Sequence, residues 1–132
     1  MYSGYELSEE SRNKLKMLLV PIFNNFMGHH ITEKFGVAAD YPAPEMPDSV
    51  VVVGRAIDKK LEVDALLVEI NGSSNRPDGS KYHITWSLGA NAKPVDSNKI
   101  INSAEYLDSP IPIRVQPKVF TKSTKTYIKG TY

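Results

Sequence analysis

Apolar and polar residues alternate most cleanly between Tyr82 and Leu88. Successive side chains of a strand point to opposite sides, so Tyr82, Ile84, Trp86 and Leu88 fall on one face. Lys81, His83, Thr85 and Ser87 fall on the other. Two strands are predicted upstream. Val50-Val51-Val52-Val53 is a β-branched run that continues past Gly54 to Ile57, and Leu61 to Ile70 stays apolar until Asn71-Gly72 stops it. Asp58-Lys59-Lys60 between them reads as a turn. Met27 to Phe35 carries a mixed alternation, with His30, Thr32 and Lys34 on one face and His29, Ile31, Glu33 and Phe35 on the other. Ile111, Ile113, Val115, Val119 and Phe120 predict one more strand or a pair. Pro110, Pro112 and Pro117 cannot donate ladder bonds, which places those strands at a sheet edge or a bulge. Thr124 to Ile128 is a last short strand.

One helix opens near the start. Ser8 is its N-cap, with Glu9 and Glu10 in the first turn, where negative charge meets free amides and the positive dipole end. Leu15, Leu18, Leu19 and Ile22 follow at helical spacing, and Pro21 ends the regular helix near Leu19 or Val20. Its apolar stripe is expected to cover a sheet. Ser97 to Ala104 is a short helix or turn. Gly36 to Ser49, with three prolines, and the polar stretch Asn71 to Gly79 are loops. The expected fold is α+β, with mostly antiparallel sheets forming a cleft and a packed N-terminal helix. Residues 1–132 make one domain that can divide into two small lobes.

Composition narrows the function. Sixteen Lys and Arg against 15 Asp and Glu leave a net charge of +1, which excludes a basic nucleic-acid coat but not a local phosphate pocket. Lys118, Lys122, Lys125 and Lys129 make the tail basic, a pattern that suits a solvated edge better than a long RNA track. With no Cys there is no disulfide framework, thiol nucleophile or thiolate metal site, as suits a reducing compartment. No apolar run approaches the roughly 20 residues that span a bilayer, and Met1 to Glu6 does not read as a signal peptide.

The chain has three histidines, and two begin the same tripeptide: His30-Ile31-Thr32 and His83-Ile84-Thr85. In a strand, period two puts His and Thr together on the open face and turns Ile inward. Phosphodiester chemistry needs one proton removed from the nucleophile and another given to the leaving oxygen. Two imidazoles can divide that work near neutral pH. Thr hydroxyls can donate to the non-bridging oxygens. The bland alternative is two satisfied histidines on a half-buried sheet. A metal site shared by His29 and His30 is disfavoured, because neighbours on a strand face opposite ways. The loops carry neither Ca²⁺-ligand spacing nor a glycine-rich mononucleotide signature.

The paired motifs resemble the 2H phosphoesterase superfamily, named for two His-x-Thr/Ser motifs on strands of two lobes with the phosphate between them. Tyr82-His83-Ile84-Thr85-Trp86 matches the apolar-flanked pattern in full. His29-His30-Ile31-Thr32-Glu33 matches at its core but has polar flanks. The resemblance implies a hydrolase with His30, Thr32, His83 and Thr85 as catalytic residues and no metal or cofactor. Lys34-Phe35-Gly36 after the first motif and Arg76-Pro77-Asp78-Gly79 before the second are similar to compact phage enzymes that degrade the cyclic oligonucleotide signals of bacterial immunity, an anti-CBASS activity in the host cytoplasm. That likeness implies a cyclic oligonucleotide substrate. An RNA 2′,3′-cyclic phosphodiesterase, a non-catalytic nucleotide-binding module and an assembly protein remain open. Secondary substrate contacts are assigned to Tyr5, on an exposed N-terminal segment, and to Glu105, Lys34 and Lys81. Tyr2 and Tyr41 could stack a base, whereas Trp86 reads as core.

Overall fold

The computed structural model describes residues 1–121. In chain order the elements are β1 (Tyr2–Leu7), α1 (Glu9–Leu18), β2 (Asn25–Phe26), β3 (His30–Phe35), β4 (Val50–Asp58), β5 (Val63–Ile70) and β6 (His83–Leu88). Next come α2 (Ser97–Ile100), set between two 3₁₀ turns, then β7 (Glu105–Pro112) and β8 (Val115–Phe120). Two sheets form, with orders β3-β1-β8 and β2-β6-β5-β4-β7. Every pairing in them is antiparallel. The α+β expectation therefore holds, with its helix near the N-terminus. The strand expected over Thr124 to Ile128 lies outside the described residues.

Helix α1 starts where its cap was expected: Ser8 Oγ accepts the Ser11 N–H at 3.1 Å, with Glu9 and Glu10 in the first turn. Its buried stripe is Ser11 and Leu15, continued by the partly buried Leu19 at four-residue steps. Leu18 does not join it. At three residues from Leu15 it rotates off this narrow seam and is exposed. No helix among the described residues is long and apolar enough to cross a membrane.

The five-stranded sheet is covered on both faces, which is why the Val50–Val53 run is apolar at consecutive positions. On one face Val50, Val52, Leu66, Val68, Tyr82, Ile84 and Trp86 meet Leu15, Tyr5, Leu7 and Ile31. On the other, Val53, Ala56, Val63, Ala65, Leu67 and Leu88 meet Met27, Ile100 and Ile101. A register shift between Asp64 and Ala65 against β6 breaks the strict alternation there. Leu88 therefore leaves the face of Trp86, and Ser87 joins Asp64, donating to its Oδ2 at 2.7 Å. The prolines sit as expected at the outside: Pro110 and Pro112 on edge strand β7, Pro117 on edge strand β8.

Strand β1 went unread in the sequence. It is the central strand of its sheet, and Tyr5 is core, packed with Ile31. The exposed, ligand-closing role expected for Tyr5 is thus corrected. Gly4 explains part of the close packing, since a Cβ there would run into the Ile31 carbonyl. Gly28 is a second special position, at φ +70° with a virtual Cβ 2.7 Å from the Trp86 ring. Strain and overlap act together, so Gly28→Ala should cost about 1–3 kcal/mol. Thermal unfolding followed by circular dichroism checks this, and an unchanged Tm would remove the structural role given to Gly28.

Candidate active site

Strand β2 pairs with β6 through Asn25↔Leu88 and Phe26↔Ser87. Two more bonds extend the register: Met27 N–H donates to the Trp86 carbonyl and Gly28 N–H to the Thr85 carbonyl, both at 2.9 Å. At Gly28 the chain swings out of one sheet into the other. The Leu7 N–H donates to the His29 carbonyl at 2.9 Å, and His30 pairs with Glu6 of β1. Beyond Gly28, strand β3 stays beside β6 while pairing with β1, so His30 lies on the side of its sheet next to the strand that carries His83. Electrostatics agree, because His83 is one of the charges that depress the His30 pKa. The two motif histidines thus come from different sheets that lie side by side here, near enough for His83 to bear on the charge of His30.

Their environments differ. His30 packs among rings, 5.2 Å from Tyr2 and 5.4 Å from Phe120 between centroids, and those two rings stack 4.8 Å apart. Burial, then the charges of His29 and His83, lower its pKa from 6.5 to about 3. The imidazole is therefore neutral at pH 7, although one side keeps some solvent contact. His83 Nδ1 lies 2.8 Å from the Lys81 carbonyl. A carbonyl only accepts, so Nδ1 carries a hydrogen in this bond and Nε2 is the free nitrogen of the neutral ring. Burial lowers the His83 pKa; the Lys81 carbonyl opposes it by favouring the charged ring.

The threonines follow their histidines. Thr32 is buried two residues beyond His30. Thr85 is held by the segment before α2: its Oγ1 is 2.9 Å from Ser97 Oγ, and it donates to the Pro94 carbonyl at 3.4 Å. The secondary contacts fare differently. A register shift between Ser3 and Gly4 gives β3 one extra residue, so Lys34 pairs with Ser3 instead of continuing the His30–Thr32 face. Phe35 takes that place, 5.6 Å from the Tyr2 ring, and the Lys34 ammonium lies 5.6 Å from the Tyr41 ring. Lys81 donates to Asn75 Oδ1 at 2.7 Å. Glu105 is exposed on β7, three strands from β6, or about 14 Å at normal strand spacing, and so stands apart from the histidines.

Four side chains near the histidines have partners that the sequence does not assign. Arg76 is buried and forms a two-pronged pair with Asp78, Nε to Oδ1 at 3.0 Å and Nη2 to Oδ2 at 2.7 Å. Its guanidinium lies 5.6 Å from the Phe35 ring and bears on the His83 pKa. Glu6, opposite His30, accepts from Lys118 Nζ at 2.7 Å, so that tail lysine lies on an exposed sheet edge as expected and also forms an ion pair there. Arg76 and Asp78, two apart in an Arg-Pro-Asp-Gly turn, left a readable signal. The Glu6–Lys118 pair spans 112 positions and left none.

Among the described residues no three His, Cys, Asp or Glu side chains gather where they could hold a metal ion. Comparison of the chain with protein families, curated proteins and solved structures gives no match. Function must come from the site's own chemistry.

A depressed histidine pKa has a consequence for stability. The unfolded chain takes up a proton near pH 6.5, while folded His30 resists it until about pH 3. The stabilisation is therefore present above pH 6.5 and lost as pH falls toward about 3. NMR titration of the ring should show His30 still neutral at pH 5. A midpoint near 6.5 would contradict the burial that places it among Tyr2 and Phe120.

Proposed function

We propose that this chain is a metal-independent phosphodiesterase that uses His30 and His83 on a cyclic oligonucleotide or a related 3′,5′ phosphodiester. The observation that supports the reading is that two identical His-Ile-Thr tripeptides, 53 positions apart in numbering, lie on adjacent strands β3 and β6 of two different sheets. Neutral His30 is suited to be the base. It takes the proton of the ribose 2′-OH as the 2′ oxygen bonds to phosphorus. His83 is suited to be the acid. With Nδ1 held by the Lys81 carbonyl, its protonated form presents Nε2–H to the leaving 5′ oxygen as the P–O5′ bond breaks. A bound phosphate anion favours the required imidazolium. Thr32 and Thr85 are assigned to the non-bridging oxygens, Thr85 by turning its hydroxyl away from the long bond to the Pro94 carbonyl, and a donated hydrogen bond there strengthens as charge develops. The product is a 2′,3′-cyclic phosphate, which water opens with the two roles reversed. Acting on a cyclic signalling nucleotide, this chemistry would counter bacterial cyclic-nucleotide immunity.

The test is a panel of cyclic dinucleotides, cyclic trinucleotides and RNA ending in 2′,3′-cyclic phosphate, followed by chromatography and mass spectrometry. Linear or cyclic-phosphate products that persist in EDTA are expected. Intact release of a bound nucleotide would convert the reading to a binding module. Turnover lost in EDTA and restored by a divalent metal would end the two-imidazole mechanism.

A further inference from the structure

Thr85 Oγ1 lies 2.9 Å from Ser97 Oγ, and Ser97 is fully buried. Either hydroxyl of such a pair can donate, but one hydrogen fills the contact and the other must go elsewhere. Ser97 Oγ has no second hydrogen-bond partner among the described residues. If Thr85 gave the hydrogen, the Ser97 hydrogen would be buried without an acceptor, at a cost comparable to a lost hydrogen bond. Ser97 is therefore the donor and Thr85 Oγ1 the acceptor. The one Thr85 hydrogen is left with the Pro94 carbonyl at 3.4 Å, longer than the usual O–H···O distance of about 2.5–3.0 Å. That carbonyl does not depend on it, because it also accepts the Ser97 N–H. Thr85 is only partly buried, so an incoming acceptor can take its hydrogen without orphaning a buried group.

The element that carries Ser97 is fixed. Three and four residues further on, Ile100 and Ile101 are buried in the core on the Leu67 side of the five-stranded sheet. Just before it, the Asp96 carboxylate accepts the Lys93 N–H at 2.9 Å and pairs with Lys99 at 3.0 Å. Thr85 itself stands two residues from His83 on β6, on the face that alternation shares between them. We propose, on the diesterase reading, that Ser97 is a positioning residue: it donates to Thr85 Oγ1, fixes the threonine side chain in one rotamer and leaves the single Thr85 hydrogen for a phosphoryl oxygen. Ser97 touches no substrate atom. Its contribution is that the Thr85 donor is already aimed when negative charge develops on that oxygen, so little of the hydrogen-bond energy goes into ordering it.

Ser97→Ala removes the donor and adds no bulk. It should lower kcat about 3- to 10-fold at unchanged KM, the size of one ordinary hydrogen bond, with an unchanged circular dichroism spectrum. In a Thr85→Val background the same change should cost less than about twofold, because no hydroxyl is left to position. A merely structural serine would cost the same in both backgrounds, and that result overturns the proposal. Two NMR readouts need no turnover. Couplings to the Thr85 methyl carbon should report one χ1 rotamer in the wild-type chain and averaging in Ser97→Ala. In the wild-type chain alone, the Ser97 hydroxyl proton should exchange slowly with water and the Thr85 proton fast. A Thr85 rotamer indifferent to Ser97→Ala overturns the proposal, as does the reverse exchange pattern. A chain that cleaves nothing on the nucleotide panel ends the diesterase reading by itself, and the NMR result still decides whether Ser97 orders Thr85.

Discussion

His30→Ala and His83→Ala should each lower turnover by at least about 10²-fold on a cleaved substrate, because a positioned acid or base contributes roughly 10²–10⁴-fold. The double variant should lose less than the two logarithmic losses added, since both imidazoles serve one transfer. The two singles should differ in their pH dependence. His30 is neutral well below pH 7, so the low-pH limb contributed by a base is pushed toward about 3. The high-pH limb then reports His83 in its protonated form and should disappear in His83→Ala. Thr32→Val and Thr85→Val should cost less than either histidine, each removing one donor to the phosphoryl oxygens. His29→Ala is the control: the His29 carbonyl bonds to β1, and strand alternation turns its ring to the face opposite His30, so activity should stay within a few-fold. Its charge does press on His30, and the His30 midpoint should rise slightly when it is removed. Full activity in His30→Ala or His83→Ala would end the mechanism. An inactive but folded His29→Ala would place the wrong histidine at the phosphate.

The sequence made the two His-Ile-Thr strands readable because each needs only local alternation. Val50–Asp58 and Val63–Ile70 were readable for a similar reason, as β-branched or apolar runs closed by a turn. Strand β1 was not. Its residues, Tyr-Ser-Gly-Tyr-Glu-Leu, have no strong strand bias, and both its partners arrive from far along the chain. Tyr5 was therefore assigned to solvent when it belongs to the core. The errors at Lys34 and Leu88 share one physical cause. Each lies just past a register shift, where one extra residue on one strand exchanges the faces that simple alternation assigns. Glu105 was misjudged because strand order, which sets its distance from His83, is a property of topology and not of spacing. The candidate site was thus legible in its two histidines and two threonines. Its Arg76–Asp78 pair is local to one turn, whereas its ring cluster of Tyr2, His30 and Phe120 required long-range packing to emerge.

Asp64→Ala should be the most destabilising single change outside the apolar core. Asp64 is fully buried and accepts from Arg55 at 2.9 Å through each oxygen, as well as from Ser87 Oγ and the Ile22 N–H. Removing it leaves a guanidinium whose side chain is only 16% exposed, with no carboxylate opposite. Breaking one member of a buried pair costs about 3–5 kcal/mol, and the orphaned Ser87 hydroxyl and Ile22 amide add to that. For a chain of this size the loss should lower Tm by about 10 °C or more. Asp64→Asn keeps the shape and one acceptor and should fall between wild type and Asp64→Ala. Below the melting range, Asp64→Ala should turn over substrate within a few-fold of wild type, because Asp64 pairs with Ser87, four positions along β6 from His83. A Tm within about 2 °C of wild type would show that the pair adds nothing to stability, and that the loop after α1 is held by packing alone.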